Sequence, residues 1–347
     1  MSKHTIEELQ MLQALPLDAK VAKTKLRIRE WVNEYGRDGV YVSFSGGKDS
    51  TALLHLVRSI YPDVPAVFCD TGLEYPEIRN FVRTFENVVW LKPRMTFKQV
   101  IETYGYPFIS KDISQAVYDV IRQSEINGIA ARETKLYKRT FDENSEYCRK
   151  YPGYCRKRYD FLFDADFKIS YKCCNIMKKQ ISKEYEKRSG RNAIIGTMAD
   201  ESRLRQTTWL KYGCNSFTEK RKTSKPMSFW VENDVLQYIK QNNIQICSLY
   251  GDIVEDDEYP GQITWNDYAG FDIGKVQYST TGLKRTGCMF CGYGCHLQKE
   301  GEGNFERMKL THPKQYEYIM KPWDEGGLGY KDVIDWINEH GNMNIRY

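Results

Sequence analysis

Apolar residues first recur at helical spacing. Across residues 5–35, Leu9, Leu12 and Leu15, then Val21, Leu26, Ile28 and Trp31, fall near the 3.6-residue period with a break at Pro16, which predicts an N-terminal helical segment, residues 1–37. After residue 39 the period changes. VYVSF at 40–44 is a short apolar strand, SGGKDS a polar turn, and TALLHLVRSIY at 51–61 a helix offering Leu53, Leu54, Leu56, Val57 and Ile60 for burial. VPAVFCD at 64–70 and VVWL at 88–91 repeat the strand pattern, with helices expected at 77–85 and 96–104. AIIG at 193–196 resumes it, and NDVLQYIKQNN at 233–243 is amphipathic. Strand and helix alternating at this spacing predict an α/β fold whose parallel sheet is covered on both faces.

Two stretches break the pattern. Residues 132–158 carry nine Lys/Arg against four Asp/Glu, with Tyr137, Tyr147, Tyr151 and Tyr154 interleaved, and read as a basic insertion. Residues 250–286, rich in Gly, Asp and Tyr, read mostly as loop, and helices are expected near 311–321 and 330–340. The organisation that follows is a helical segment at 1–37, an α/β domain at 38–245 and a loop-rich, helical C-terminal segment at 246–347.

The chain of 347 residues, 41% apolar and 28% charged, belongs to the ordinary globular class, which excludes a disordered, collagen-like or coiled-coil architecture. No apolar run approaches 18 residues, and MSKHTIEELQ lacks the apolar core of a signal peptide, so a soluble cytoplasmic protein without membrane contact is expected. The net charge of +5 is too small to imply nucleic-acid binding by itself. The basic, tyrosine-rich stretch at 132–158 is nevertheless a candidate surface for single-stranded nucleic acid, with a solvated loop as the plainer alternative. Ten cysteines are too few for a disulfide scaffold. Cys69, Cys148, Cys155, Cys214 and Cys247 are scattered, whereas Cys173–Cys174 are adjacent and Cys288, Cys291 and Cys295 form C-x-x-C-x-x-x-C.

SFSGGKDS, Ser43 to Ser50, ends the first strand and opens the first helix, where unpaired N–H groups and the helix dipole favour an anion. Gly46 and Gly47 allow close approach, while Ser45, Lys48 and Ser50 add donors. SGGKDS resembles the pyrophosphate loop of the adenine-nucleotide α-hydrolase superfamily, and DTGLEYPE at 70–77 resembles an element of the phosphoadenosine phosphosulfate reductase family. KCCNIMKKQ at 172–180, GTMADESRLRQ at 196–206, the stretch Trp230–Ile239 and RTGCMFC at 285–291 extend the resemblance over about residues 39–295.

That resemblance implies a Rossmann-like parallel sheet of about five strands and a nucleotide site made of Ser43, Ser45, Gly46, Gly47, Lys48, Asp49 and Ser50. Asp70, Thr71 and Glu74 follow at the next strand end, and Gly196, Ser202 and Arg205 close over the nucleotide. Lys48, Asp49 and Arg205 are the expected catalytic residues, Asp49 holding Mg²⁺ against phosphate oxygens. Relatives often carry Arg where this chain has Met198, a departure that bears on the substrate. Cys173, Cys174, Cys288 and Cys291 resemble the ligand set of the iron–sulfur members. Four thiolates suit a [4Fe-4S] cluster or zinc, with free buried thiols a third reading, and adjacent cysteines reach two irons more readily than one zinc. Cys295 is expected to replace one of the pair or to lie beside the cluster as a thiol. Lys178 and Lys179 are expected near the cluster or the substrate phosphate, or in solvent.

Three functions compete. The first is an enzyme that binds ATP with Mg²⁺, cleaves it between the α and β phosphates to activate an acceptor, and uses the cluster in sulfur chemistry. The second is a sulfonucleotide reductase releasing sulfite; its usual C-terminal cysteine is missing, since the chain ends GNMNIRY with no cysteine after Cys295. The third is a nucleotide-binding subunit without turnover in a nucleic-acid-associated or defence assembly. A partner protein or a second copy of the chain fits any of the three.

Overall fold

The structure, a computed structural model, describes residues 3–256 and 276–347; part of the stretch expected as loop at 250–286 lies outside them. The chain divides into two compact units, one comprising Met1–Asp70, Glu74–Lys92 and Ile181–Thr286, the other Thr71–Leu73, Pro93–Gln180 and Gly287–Tyr347. The strands are β1 (Val40–Ser43), β2 (Ala66–Cys69), β3 (Val88–Leu91), β4 (Phe108–Ile109), β5 (Asn192–Ile195), β6 (Asn215–Ser216), β7 (Thr223–Ser224), β8 (Ile253–Glu255), β9 (Tyr278–Thr280) and β10 (Gly292–Tyr293).

The first unit holds a six-stranded sheet in the order β3-β2-β1-β5-β7-β6. All of its pairings are parallel except β6–β7, so five strands form the expected parallel sheet and a short antiparallel edge is added. Val40, Tyr41 and Val42 are buried, as a central parallel strand covered on both faces requires. On one face Tyr41, Val67 and Ala193 pack with Tyr185 of the helix Ile181–Ser189, and the Tyr41 and Tyr185 rings meet edge to face at 5.2 Å. Helices α1 (Ile6–Gln13), α2 (Leu17–Tyr35) and α3 (Lys48–Arg58) follow the expected helical regions, with Pro16 as the N-cap of α2. Helix α2 packs on both β1 and α3.

The buried face of α2 differs from the one its apolar spacing suggests. Leu26 is 48% exposed, while Lys20 and Thr24 join Ile28 and Trp31 in the interior. Specific partners make this possible: Lys20 Nζ lies 2.6 Å from Asp234 Oδ2, and Thr24 Oγ1 accepts the Trp230 indole N–H at 2.9 Å. A buried polar group so paired avoids the desolvation cost that would otherwise expel it.

Helix α3 begins at Lys48, three residues earlier than its apolar run suggests, because Gly47 serves as its N-cap and places Lys48, Asp49 and Ser50 in the first turn. In this sheet β1 is flanked by β2 on one side and β5 on the other, so the chain reverses its direction of progress there. The Ser43–Ser50 loop therefore opens at the topological switch point, where open α/β sheets form a crevice.

In the second unit β4 and β10 pair in parallel, and Tyr330 Oη donates to the Phe290 carbonyl at 2.8 Å. Phe108, Phe305 and Tyr330 are fully buried and mutually in ring contact. The basic stretch at 132–158 is folded, with helices at Lys135–Thr140 and Glu146–Lys150 and a disulfide joining Cys148 and Cys155. No described helix is long and apolar enough to cross a membrane.

Candidate functional site

The loop after β1 largely satisfies itself. Ser50 Oγ donates to the Gly47 carbonyl at 2.9 Å, Ser45 and Ser50 hydroxyls lie 3.0 Å apart, and Gly47 N–H donates to Ser45 Oγ at 3.3 Å. Gly46 has φ +73°, and a Cβ there would lie 2.8 Å from Val82 Cγ2 and 2.9 Å from Ile78 Cγ2. Both the conformation and the close approach thus require glycine. Gly196, at the end of β5, comes near the same loop, since a Cβ on it would be 3.1 Å from the Asp49 carbonyl oxygen. Ser43 ends β1, with its side chain half-buried.

Lys48 is 2% exposed and committed to the protein: its Nζ lies 2.9 Å from Glu232 Oε1 and donates to the Lys284 carbonyl at 2.7 Å. Its backbone N–H donates to Tyr250 Oη at 3.2 Å, and that hydroxyl is 2.8 Å from Thr286 Oγ1. Asp49 is different. Its Oδ1 is buried with no hydrogen-bond partner, and burial pushes the carboxyl pKa up against the opposing pull of Lys48, Arg285 and Arg205. A partnerless buried carboxylate oxygen favours protonation or a cation. Asp70, after β2, also has a buried, partnerless Oδ1, while its Oδ2 accepts from Arg79 at 2.9 Å. Glu74 is buried in the same unit.

Ser202 caps the helix Arg203–Tyr212, its Oγ accepting the Arg205 N–H at 3.3 Å. Arg205 pairs with Glu201, whose Oε2 lies 3.9 Å from Arg285. Met198 is buried, and its N–H donates to Glu201 Oε1 at 2.9 Å. Thr71 belongs to the second unit, where its hydroxyl accepts the Leu73 N–H at 3.2 Å. Glu232, Tyr250, Lys284 and Arg285 were not predicted from sequence. Arg285 opens RTGCMFC, a motif whose cysteines draw attention away from its first residue.

In the second unit Cys173, Cys174, Cys288 and Cys291 line one small cavity of about 20 Å³, together with Leu73, Phe97, Pro107, Met177, Phe290 and Lys178. Cys173 and Cys174 begin a helix that continues as a π turn, Asn175–Gln180, and their sulfurs are 3.9 Å apart. Such turns are rare and recur at functional sites. The hydrogen bond from Cys173, followed by Lys111, Lys178 and Lys179, lowers the Cys174 pKa despite burial, while that bond and burial raise Cys173. Burial pushes Cys291 and Cys295 up to about 12.

The donor set suits a thiolate-held cluster: four cysteines line one largely apolar pocket. Among the described residues no three His, Cys, Asp or Glu side chains converge as ligands of a single metal ion. A cubane makes no such demand, since each thiolate takes a separate iron. The cavity is near the size of one water, so the thiols would have to turn outward to admit a cluster.

The profile described as phosphoadenosine phosphosulfate reductase domain matches residues 39–122 and 152–292. With more than half of the chain matched, the protein belongs to the phosphoadenosine phosphosulfate reductase family. The phosphoadenosine 5'-phosphosulfate reductase of Proteus mirabilis is 26% identical over 114 residues, 33% of this chain and 47% of that protein. An uncharacterised protein of Methanocaldococcus jannaschii is 37% identical over 73 residues, 20% of this chain and 18% of its own. The match thus spans less than half the length of either relative. The structure of a phosphoadenylyl-sulfate reductase from Candida auris, a phosphate complex, aligns with TM-score 0.37 and 14% identity over 67% of this chain and 88% of that one.

Proposed function

We propose that the protein binds ATP at the Ser43–Ser50 loop and cleaves it between the α and β phosphates to activate an acceptor. The observation that carries this reading is the buried, partnerless Oδ1 of Asp49 in the first turn of α3, with a second such oxygen on Asp70. Magnesium, when bound, would neutralise phosphate charge and polarise the α-phosphorus, with Asp49 as its carboxylate ligand. The loop's N–H groups and the Ser45 hydroxyl orient the phosphates, and Arg205 faces the charge that develops on them. An acceptor nucleophile attacks the α-phosphorus; the bond to the bridging oxygen breaks, and pyrophosphate leaves with that electron pair. Gly196 leaves room for the loop, Ser202 fixes the start of Arg205's helix, and Thr71 and Glu74 are proposed as further nucleotide contacts.

Cys173, Cys174, Cys288 and Cys291 are proposed to hold a [4Fe-4S] cluster, with zinc the alternative; when bound, the cluster would supply electrostatic or redox support for sulfur chemistry. Magnesium-dependent release of pyrophosphate from ATP tests the main reading. A second reading, sulfonucleotide reduction, is favoured by the likeness to the phosphoadenosine 5'-phosphosulfate reductase of Proteus mirabilis. Thioredoxin-dependent release of sulfite would support it. Against it, Cys295 is buried and its pKa is raised to about 12, which makes a poor nucleophile.

A nucleic-acid surface at 132–158 has fewer available cations than the composition suggests. Arg132 pairs with Asp160 and Asp164, Arg156 with Asp112, and Arg149 donates to the Asn144 carbonyl. Lys157 also lies 3.9 Å from Asp160. If single-stranded nucleic acid binds here, Lys135, Lys138, Arg139, Lys150 and Arg158 are the cations left to carry it, and its affinity should fall with added salt.

A further inference from the structure

We propose that Arg285 is a second cation, beside Arg205, that contacts nucleotide phosphate at the Ser43–Ser50 loop, and that Lys48 is a positioning residue that holds Arg285 there. The inference rests on the nucleotide-binding reading above. Lys48 is the cation that the loop motif itself presents, yet its ammonium is buried between Glu232 and the Lys284 carbonyl at 2.9 and 2.7 Å. Turning it towards a phosphate would break both contacts and leave the Glu232 carboxylate without its ammonium.

Arg285 is bracketed by two anchors on the loop. On one side the Lys284 carbonyl accepts from Lys48 Nζ; on the other Thr286 Oγ1 is 2.8 Å from Tyr250 Oη, which itself accepts the Lys48 backbone N–H at 3.2 Å. The backbone of Arg285 is therefore fixed beside the first turn of α3. Its side chain is 57% exposed, and among the described residues its ion pair is with Glu201, 3.9 Å away and paired through its other oxygen with Arg205. A fixed backbone, an exposed guanidinium and a long ion pair suit a side chain that exchanges a carboxylate for a phosphate, and a planar guanidinium can take two phosphate oxygens at once.

The test is binding of ATP, inorganic pyrophosphate and adenosine to the whole protein, compared with Arg285→Ala, Arg285→Lys, Lys48→Met and the Lys48→Met/Arg285→Ala pair. Arg285→Ala should weaken ATP and pyrophosphate about ten- to a hundredfold, the loss expected of a charge-assisted hydrogen bond, and leave adenosine and the melting temperature unchanged. Arg285→Lys should recover part of the loss. Lys48→Met should weaken ATP in the wild-type background but add little once Arg285 is absent, because coupled residues are not additive. Wild-type phosphate affinity in Arg285→Ala, equal losses for adenosine and ATP, or full additivity of the pair would overturn the assignment. A wild-type protein that binds neither ATP nor pyrophosphate would overturn the nucleotide reading itself, and this inference with it.

Discussion

The Ser43–Ser50 loop and the four-thiol cavity are assembled in opposite ways. In the loop Ser45, Gly47 and Ser50 bond to one another within a few residues, and the helix that supplies its N–H groups starts inside the motif. The thiols come from two segments about 115 residues apart, and their meeting depends on the packing of a whole unit, including the Tyr330 hydroxyl that holds the Phe290 carbonyl. A local site of the first kind is ready before its ligand arrives. One of the second kind gains part of its order from the group it binds, because metal binding joins ligands that are distant along the chain.

The largest effect expected is on the preorganised side. Asp49→Ala should lower pyrophosphate release by about a hundredfold or more, as loss of a metal ligand or a transition-state charge partner does, while far-UV circular dichroism stays unchanged. Equal turnover would break the link between the loop and catalysis.

Next comes the scaffold under that loop. Lys20→Met leaves Asp234 without its buried ammonium and should cost about 3–5 kcal/mol in denaturant unfolding. A loss under about 1 kcal/mol, the range of exposed pairs, would mean that water reaches the site and the interior there is not closed.

On the other side of the comparison, Cys288→Ser should reduce iron in anaerobically prepared protein from about four atoms per chain to near none. It should also lower the melting temperature of the loaded protein, with little effect on ATP affinity. One equivalent of zinc and no acid-labile sulfide in the wild type would replace the cluster with a zinc site.

The smallest effect concerns pH. Burial raises the Asp49 pKa in the ligand-free fold, so its favourable contribution is fully present below the ordinary carboxylate range and is lost as pH rises through the raised value. Asp49→Asn should therefore melt a few degrees above wild type at neutral pH, with the gap closing on acidification, even as turnover falls. A gap independent of pH would remove Asp49 as its source.

The contrast between the two regions also explains what was legible in the sequence. Strands β1, β2, β3 and β5 announce themselves as short apolar runs, and SGGKDS as a contiguous motif, because the physics that forms them is local. Strands β6 and β7 are two residues each, Asn215–Ser216 and Thr223–Ser224, and carry no apolar signal; ladder bonds to the sheet define them. Lys20 and Thr24 look like surface positions until Asp234 and Trp230, some two hundred residues away, supply their partners. The cysteine spacing clusters five residues, and the family resemblance picks from them the four that share a cavity; neither locates the disulfide between Cys148 and Cys155, which an argument from overall cysteine content cannot find. Lys48 shows the limit most plainly: its identity suggested a phosphate partner, and only the fold shows Glu232 and the Lys284 carbonyl already holding it.

The most direct test of the central claim is calorimetric titration of ATP into the anaerobic protein, with and without Mg²⁺, for wild type and Asp49→Asn. The account predicts that Mg²⁺ tightens ATP binding to wild type about tenfold or more and leaves Asp49→Asn nearly indifferent, since the carboxylate that would share the ion is gone. The same magnesium dependence in both proteins would contradict it.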